Sequence, residues 1–147
     1  MKLHQLSLFL ENRPGKLRAP CAALGKAGVD ILTASLADTA QFGILRLIVK
    51  DWQRAKQVLE AAGVVVNVTE VVPIEVDDRP GGLAAALAAI EDAGIGVEYM
   101  YAFAAGPMPG KAAIVFRFED PDRALAAVKE RGLRVVDADE LLGKKSM

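Results

Sequence analysis

Apolar and polar positions change their period along this chain in a fixed order, and the order occurs twice. Leu6-Ser7-Leu8-Phe9-Leu10 reads as a short buried strand, and residues 11 to 16 are polar or turn-forming. From Leu17 the apolar positions fall at 17, 21, 24 and 28, the spacing of one helical face, with Gly28 at the expected C-terminal cap. Residues 30 to 36 alternate, Ile31, Thr33 and Ser35 on one side and Leu32, Ala34 and Leu36 on the other. A loop ending at Gly43 leads into the apolar strand Ile44 to Val49. Asp51 is a plausible N-cap for a helix over 52–62 that buries Ala55, Val58, Leu59 and Ala62; Gly63 stops it, and Val64 to Val68 makes a fourth strand. The pattern predicts β-α-β-β-α-β.

The second half repeats it. Val72 to Val76 is the first strand, where Pro73 is acceptable only at an edge or a strand start. A helix over 82–93 has its apolar face at 83, 87, 90 and 94, and strands follow at Val97 to Phe103 and Ala113 to Phe118. Asp120-Pro121 opens the next helix with proline just inside it, Gly132 ends it, and Leu133 to Val136 forms a last short strand. Residues 137 to 147 read as a weakly structured tail. Identities support the repeat. At a shift of 66, Arg13-Pro14-Gly15 matches Arg79-Pro80-Gly81, Leu17 matches Leu83, and Gly28-Val29 answers Gly94-Ile95. At a shift of 69, Asp51 matches Asp120, Arg54-Ala55 matches Arg123-Ala124, and Gly63 matches Gly132. The segment Ala104 to Gly110, with two prolines and two glycines, absorbs the difference as a projecting hairpin loop.

Each copy has the element order of the ferredoxin-like split motif, in which both helices lie on one face of an antiparallel sheet. The expected class is α+β, two such units, with domains at 1–70 and 71–147. No linker separates them, and strand-like sequence from Val64 to Val76 predicts rigid coupling. Composition adds one consideration. The 147 residues are 52% hydrophobic, more than two small layered units readily bury, with a mean hydropathy of +0.26. Strands such as Ile44 to Val49 are too apolar to leave a sheet face wet, so docking into a homo-oligomer, a homodimer first of all, is expected.

Charge and rare residues narrow the function. A net charge of −1 and a pI near 5.9 carry no footprint for nucleic acid. No apolar run reaches the ~20 residues of a membrane helix, and Leu6 to Leu10 is too short for a signal peptide, so a cytoplasmic protein without a membrane partner is expected. One cysteine, Cys21, and one histidine, His4, are too few for a disulfide or a structural zinc site, and no Ser/His/Asp or Cys/His catalytic set can be assembled. No cofactor, metal or catalytic residue is expected.

The chemistry that remains lies in the doubled loop, Glu11-Asn12-Arg13-Pro14-Gly15-Lys16-Leu17 and Asp77-Asp78-Arg79-Pro80-Gly81-Gly82-Leu83. Proline then glycine makes a tight turn, because proline restricts φ and glycine accepts a positive one. Backbone N–H groups at the following helix start favour a carboxylate, and Asn12 or Asp78 offers an acceptor to an ammonium group. The pattern suits a free amino acid, although one such turn by itself is also simply a turn.

Asn-Arg-Pro-Gly-Lys-Leu and Asp-Arg-Pro-Gly-Gly-Leu, with Ala-Gly-Val and Ala-Gly-Ile after the helix and the element order, resemble tandem ACT domains over residues 4 to 136. The resemblance implies a small regulatory module that binds an amino acid at the loop between first strand and first helix, and across an interface between two units. It points to Asn12, Arg13, Gly15, Lys16 and Leu17, with Asp78, Arg79, Gly81, Gly82 and Leu83, as ligand-binding residues. ACT modules are commonly fused to a catalytic domain; this sequence has none, so the regulated metabolic enzyme would be a separate chain.

Two other functions compete: a ligand-free assembly module, and an acylphosphatase-like enzyme, which has the same element order and an arginine in the equivalent loop but needs a longer phosphate cradle. Tyr99 and Tyr101 share a strand face by analogy with Thr33 and Ser35; they either line a pocket or dimer contact or pack with wet hydroxyls, and the pattern favours packing. Cys21 reads as a small core residue, His4 as unassigned, and Trp52 as a packing anchor.

Overall fold

The computed structural model describes residues 2–38, 41–103 and 108–143. Two compact units result, one of His4–Thr69, the other of Glu70 onward together with the residues before His4.

In the first unit, β1 (Leu3–Glu11), α1 (Arg18–Lys26), β2 (Ile31–Asp38), β3 (Phe42–Val49) and α2 (Trp52–Ala61) lead into β4 (Val66–Asp77), and the strand order is β2-β3-β1-β4, with β2 at the edge. β1 runs antiparallel to β3 with Leu6 opposite Leu47 and Leu10 opposite Gly43. Even-numbered β1 residues point toward the helices: Leu6, Leu8, Leu45, Leu47 and Val66 form a core with Leu24 of α1 and Ala55 and Leu59 of α2. Leu24, Ala55 and Leu59 lie on the apolar faces that the helical spacing predicts, whereas Leu17, ahead of α1, and Ala62, just past the end of α2, are exposed. α2 starts where Asp51 accepts a hydrogen bond from the Arg54 N–H at 3.1 Å.

β4 continues into the second unit, followed by α3 (Gly82–Asp92), β5 (Val97–Ala102), β6 (Lys111–Phe118), α4 (Pro121–Glu130) and α5 (Ala138–Gly143), with strand order β4-β6-β5. Its core gathers Val72, Ile74, Phe116 and Phe118 under Ile90 of α3 and Ala124 and Val128 of α4. Asp120 caps α4 by accepting from the Arg123 N–H at 3.1 Å, with Pro121 in the first turn. Each unit thus has the ferredoxin-like split arrangement.

Four details depart from expectation. The strands expected at Val64–Val68 and Val72–Val76 are one strand, β4; nothing between them turns the chain, and Val64 is tied back to α2 by donating to the Leu59 carbonyl at 3.0 Å. Pro73 consequently lies within a strand, opposite Val115, with its carbonyl accepting from the Val136 N–H at 2.9 Å. The last strand expected at Leu133–Val136 reduces to a single bridge, Val135 opposite Ile74. The expected tail contains α5, whose Leu141 is buried and whose Glu140 ion-pairs with Arg134. Ala104 to Pro107 of the expected hairpin loop lie outside the described residues.

Candidate functional site

The doubled loop is one turn built twice. In the first unit the Lys16 N–H donates to the Arg13 carbonyl at 3.2 Å, and Gly15 has φ of 89°. Proline second and a positive-φ glycine third are the requirements of a type II turn. In the second unit the Gly82 N–H donates to the Arg79 carbonyl at 3.0 Å, with Gly81 at φ of 85°. The preceding residue is held in the same way in both: Asn12 N–H to the Gln41 carbonyl and Asp78 N–H to the Gly110 carbonyl, each 3.0 Å. No Cβ placed at Gly15 or Gly81 would meet an atom within 4 Å, so the demand for glycine there is torsional.

Helix starts differ in how they are closed. Asp51 and Asp120 cap α2 and α4, whereas α1 and α3 receive no side-chain cap. At the start of α1 the Ala19 N–H already donates to the Gly15 carbonyl at 3.2 Å and Pro20 carries no N–H, so the uncapped first turn offers an anion the Arg18 N–H rather than a full set of donors.

A depression of about 630 Å³ adjoins the start of α1. Leu10, Leu17, Cys21 and Leu36 give it apolar lining; Glu11, Asn12, Arg13, Arg18 and Asp38 give it polar groups, and Gly15 and Gly43 leave it backbone. A Cβ at Gly43 would come within 3.2 Å of Leu36 Cδ1, so glycine leaves room for the Leu36 side chain. Asn12 Nδ2 donates to Asp38 Oδ1 at 3.3 Å, and Arg13 Nη2 is 2.6 Å from Glu11 Oε2. Of the residues that the sequence singles out, Asn12, Arg13, Gly15 and Leu17 border this depression and Lys16 does not. Arg18, Cys21, Leu36 and Asp38 border it without having been singled out as ligand residues. Cys21 is half-buried beside the first core, and Leu36 and Asp38 reach the loop through the pairing of β2 with β3. A strand model extended by ladder register would have pointed to them; the loop motif does not.

The second loop is drawn together by charge. Arg79 donates to Asp77 Oδ2 from Nε at 3.3 Å and Nη2 at 3.2 Å, and Lys111 ion-pairs with Asp77 Oδ1. Hydrogen bonding from Lys111 first, then Arg79, holds the Asp77 carboxyl below its usual range, while Asp77 raises Lys111. The backbone also closes in: a Cβ at Gly82 would lie 1.9 Å from the Asp77 carbonyl oxygen, which excludes a side chain like that of Lys16 at the equivalent place. Gly82 borders a depression of about 350 Å³ with Asp77 and Lys111; Asp78, Arg79, Gly81 and Leu83 do not border it, and Leu83 packs on the second core.

Tyr99 and Tyr101 are half-buried on β5, opposite Arg117 and Val115, and border neither depression. His4 and Trp52 stack with ring centroids 4.5 Å apart, so the histidine has a packing role that the sequence did not reveal. Among the described residues no group of three or more His, Cys, Asp or Glu is placed to hold a metal, and no helix is long and apolar enough to cross a membrane.

The family model described as an ACT domain pair matches residues 1–144, and the chain belongs to that family. Among solved structures it is similar to protein BT0572 from Bacteroides thetaiotaomicron, at 35% identity and a TM-score of 0.88 over 97% of this chain and 96% of that one. The regulatory subunit of aspartate kinase from Thermus thermophilus shares the fold, with 17% identity and a TM-score of 0.61 over 87% and 91% of the two chains. That from Thermus flavus gives 18% and 0.61 over 88% and 92%. No curated protein matches this chain.

Proposed function

We propose that this ACT domain pair, its domains 1–70 and 71–147, is a non-catalytic regulator that binds a free amino acid and acts on a separate metabolic enzyme in the cytoplasm. One observation carries the reading: the depression at the uncapped start of α1 combines the side chain and backbone N–H of Arg18 with Asp38 and Asn12. A carboxylate suits the first group and an ammonium the second. Likeness in fold to regulatory subunits of aspartate kinase agrees with such a role.

A thermal-shift screen of the twenty amino acids, followed by calorimetry, tests it. A ligand selective for the folded state adds ~2.7 kcal/mol at a hundredfold excess over its dissociation constant, a rise of several degrees in Tm. Gly15→Val is expected to abolish the first-loop response, because a β-branched residue resists φ near 89°. Asp78 for Asn12 and Gly82 for Lys16 make the two loops unequal ligand sites. If no amino acid moves the melting curve and calorimetry is flat, the sensor reading fails.

A second reading, assembly without ligand, draws on exposed apolar residues. Phe9 is 55% and Phe42 50% exposed, near one another where β1 pairs with β3. The two readings are compatible if a homodimer presents the amino-acid sites.

A further inference from the structure

Four charged side chains border the first-unit depression, and two of them pair with each other at its solvent-exposed rim: Arg13 and Glu11, at 2.6 Å. One cation, Arg18, and one anion, Asp38, remain. A free α-amino acid brings one carboxylate and one ammonium, which these two groups match. A third charge on the ligand would find no partner among them and would lie beside Leu10, Leu17, Cys21 and Leu36, at a desolvation cost.

We infer that the first unit selects an α-amino acid with an uncharged, apolar side chain, and that Leu36 determines this specificity. The inference rests on the amino-acid reading above and narrows it. Leu36 sits on the edge strand β2 and is 53% exposed, so it has apolar surface still to cover. Its place is made by Gly43. The ladders show that this pairing is peculiar to the first copy: Leu36 lies opposite Leu45 and Gly43 opposite Leu10, whereas in the second copy the corresponding residues are Ala102, opposite Ile114, and Ala112, opposite Val76. A long side chain over a glycine has become two alanines. The second unit therefore does not offer the same apolar surface.

Calorimetry on the full chain with L-leucine, L-methionine, L-phenylalanine, L-alanine, L-lysine and L-aspartate tests the inference. Each buried methylene raises affinity about fourfold, so at least one of leucine, methionine and phenylalanine should bind tenfold or more tighter than alanine, with lysine and aspartate weaker than alanine. Leu36→Ala should lower the affinity for the preferred apolar ligand several-fold. Leu36→Asp should lower it at least tenfold and improve binding of lysine, whose ammonium gains a partner. Because Leu36 is half-exposed on an edge strand, both variants should keep the wild-type circular dichroism spectrum. Tighter binding of lysine or aspartate than of all three of leucine, methionine and phenylalanine, or an unchanged preference in folded Leu36→Asp, overturns the inference and leaves the amino-acid reading standing. If none of the six binds and the other amino acids are also silent, the reading beneath it falls as well.

Discussion

Lys111 stands directly across the β4–β6 ladder from Asp77 and ion-pairs with it, and the corresponding first-unit position, across from Glu11, is held by Phe42. The same backbone turn thus keeps an arginine–carboxylate pair in both copies, Arg79 with Asp77 and Arg13 with Glu11, but a lysine joins it in one and an exposed aromatic ring stands at that place in the other. Duplication keeps the turn because its hydrogen bonds and its glycine are local. What surrounds the turn comes from the neighbouring strand and has diverged.

The charge cluster predicts a pH signature. Asp77 has its folded pKa held below 3.8, so its contribution to stability is complete above that value and is lost as pH falls through the lower, folded one. Lys111 is raised above 10.5; its contribution is complete below 10.5 and is lost as pH rises through the higher, folded value. Asp77→Asn and Lys111→Met should each differ from wild type by a constant amount between 3.8 and 10.5, and the difference should shrink outside those limits and in high salt. Urea midpoints measured across pH check this. A difference that does not change at either extreme removes the pair as its source.

Two helical glycines should respond in opposite directions. Gly25 in α1 has open space where a Cβ would go, so Gly25→Ala should stabilise by ~0.5–1 kcal/mol through the lower entropy of the unfolded chain. Gly82→Ala would push a Cβ to 1.9 Å from the Asp77 carbonyl oxygen and should cost about 1–3 kcal/mol, or more if α3 cannot shift. Denaturant unfolding of both variants against wild type measures the contrast.

Helix capping gives a matched pair. Asp51→Ala and Asp120→Ala each remove a 3.1 Å hydrogen bond to a first-turn N–H and should each cost ~1 kcal/mol, a few degrees in Tm. Asn at either position should recover most of the loss, because its amide oxygen accepts from the same N–H.

Sedimentation equilibrium at micromolar concentration should find a homodimer rather than a 15.6 kDa monomer. If Phe9 and Phe42 supply the association surface, Phe9→Glu with Phe42→Glu should shift the equilibrium toward monomer without loss of helix content. A wild-type chain that sediments as monomer ends the homodimer proposal.

Much of the architecture could be read from residue order alone. The 17, 21, 24, 28 spacing and its echo at 83, 87, 90 and 94, the aspartates before α2 and α4, and the repeated Arg-Pro-Gly are local signals. Helical periodicity, capping and turn torsions involve residues within a few positions of one another. Where local rules compete with pairing, sequence reading fell short. Two expected strands became β4 with Pro73 inside it, and the segment Leu133 to Val136 kept only the bridge at Val135, a difference of ladder partners rather than of propensity. The environment of the loop was beyond sequence for the same reason. Leu36, Asp38 and Gly43 meet Leu10 and Asn12 only because β3 lies between β1 and β2 in a particular register, and Lys111 meets Asp77 because β6 pairs with β4. Residues so far apart along the chain carry no periodic signature of being neighbours. Backbone chemistry near each turn wrote the turn; strand register, settled by burial of both cores at once, chose what faces it.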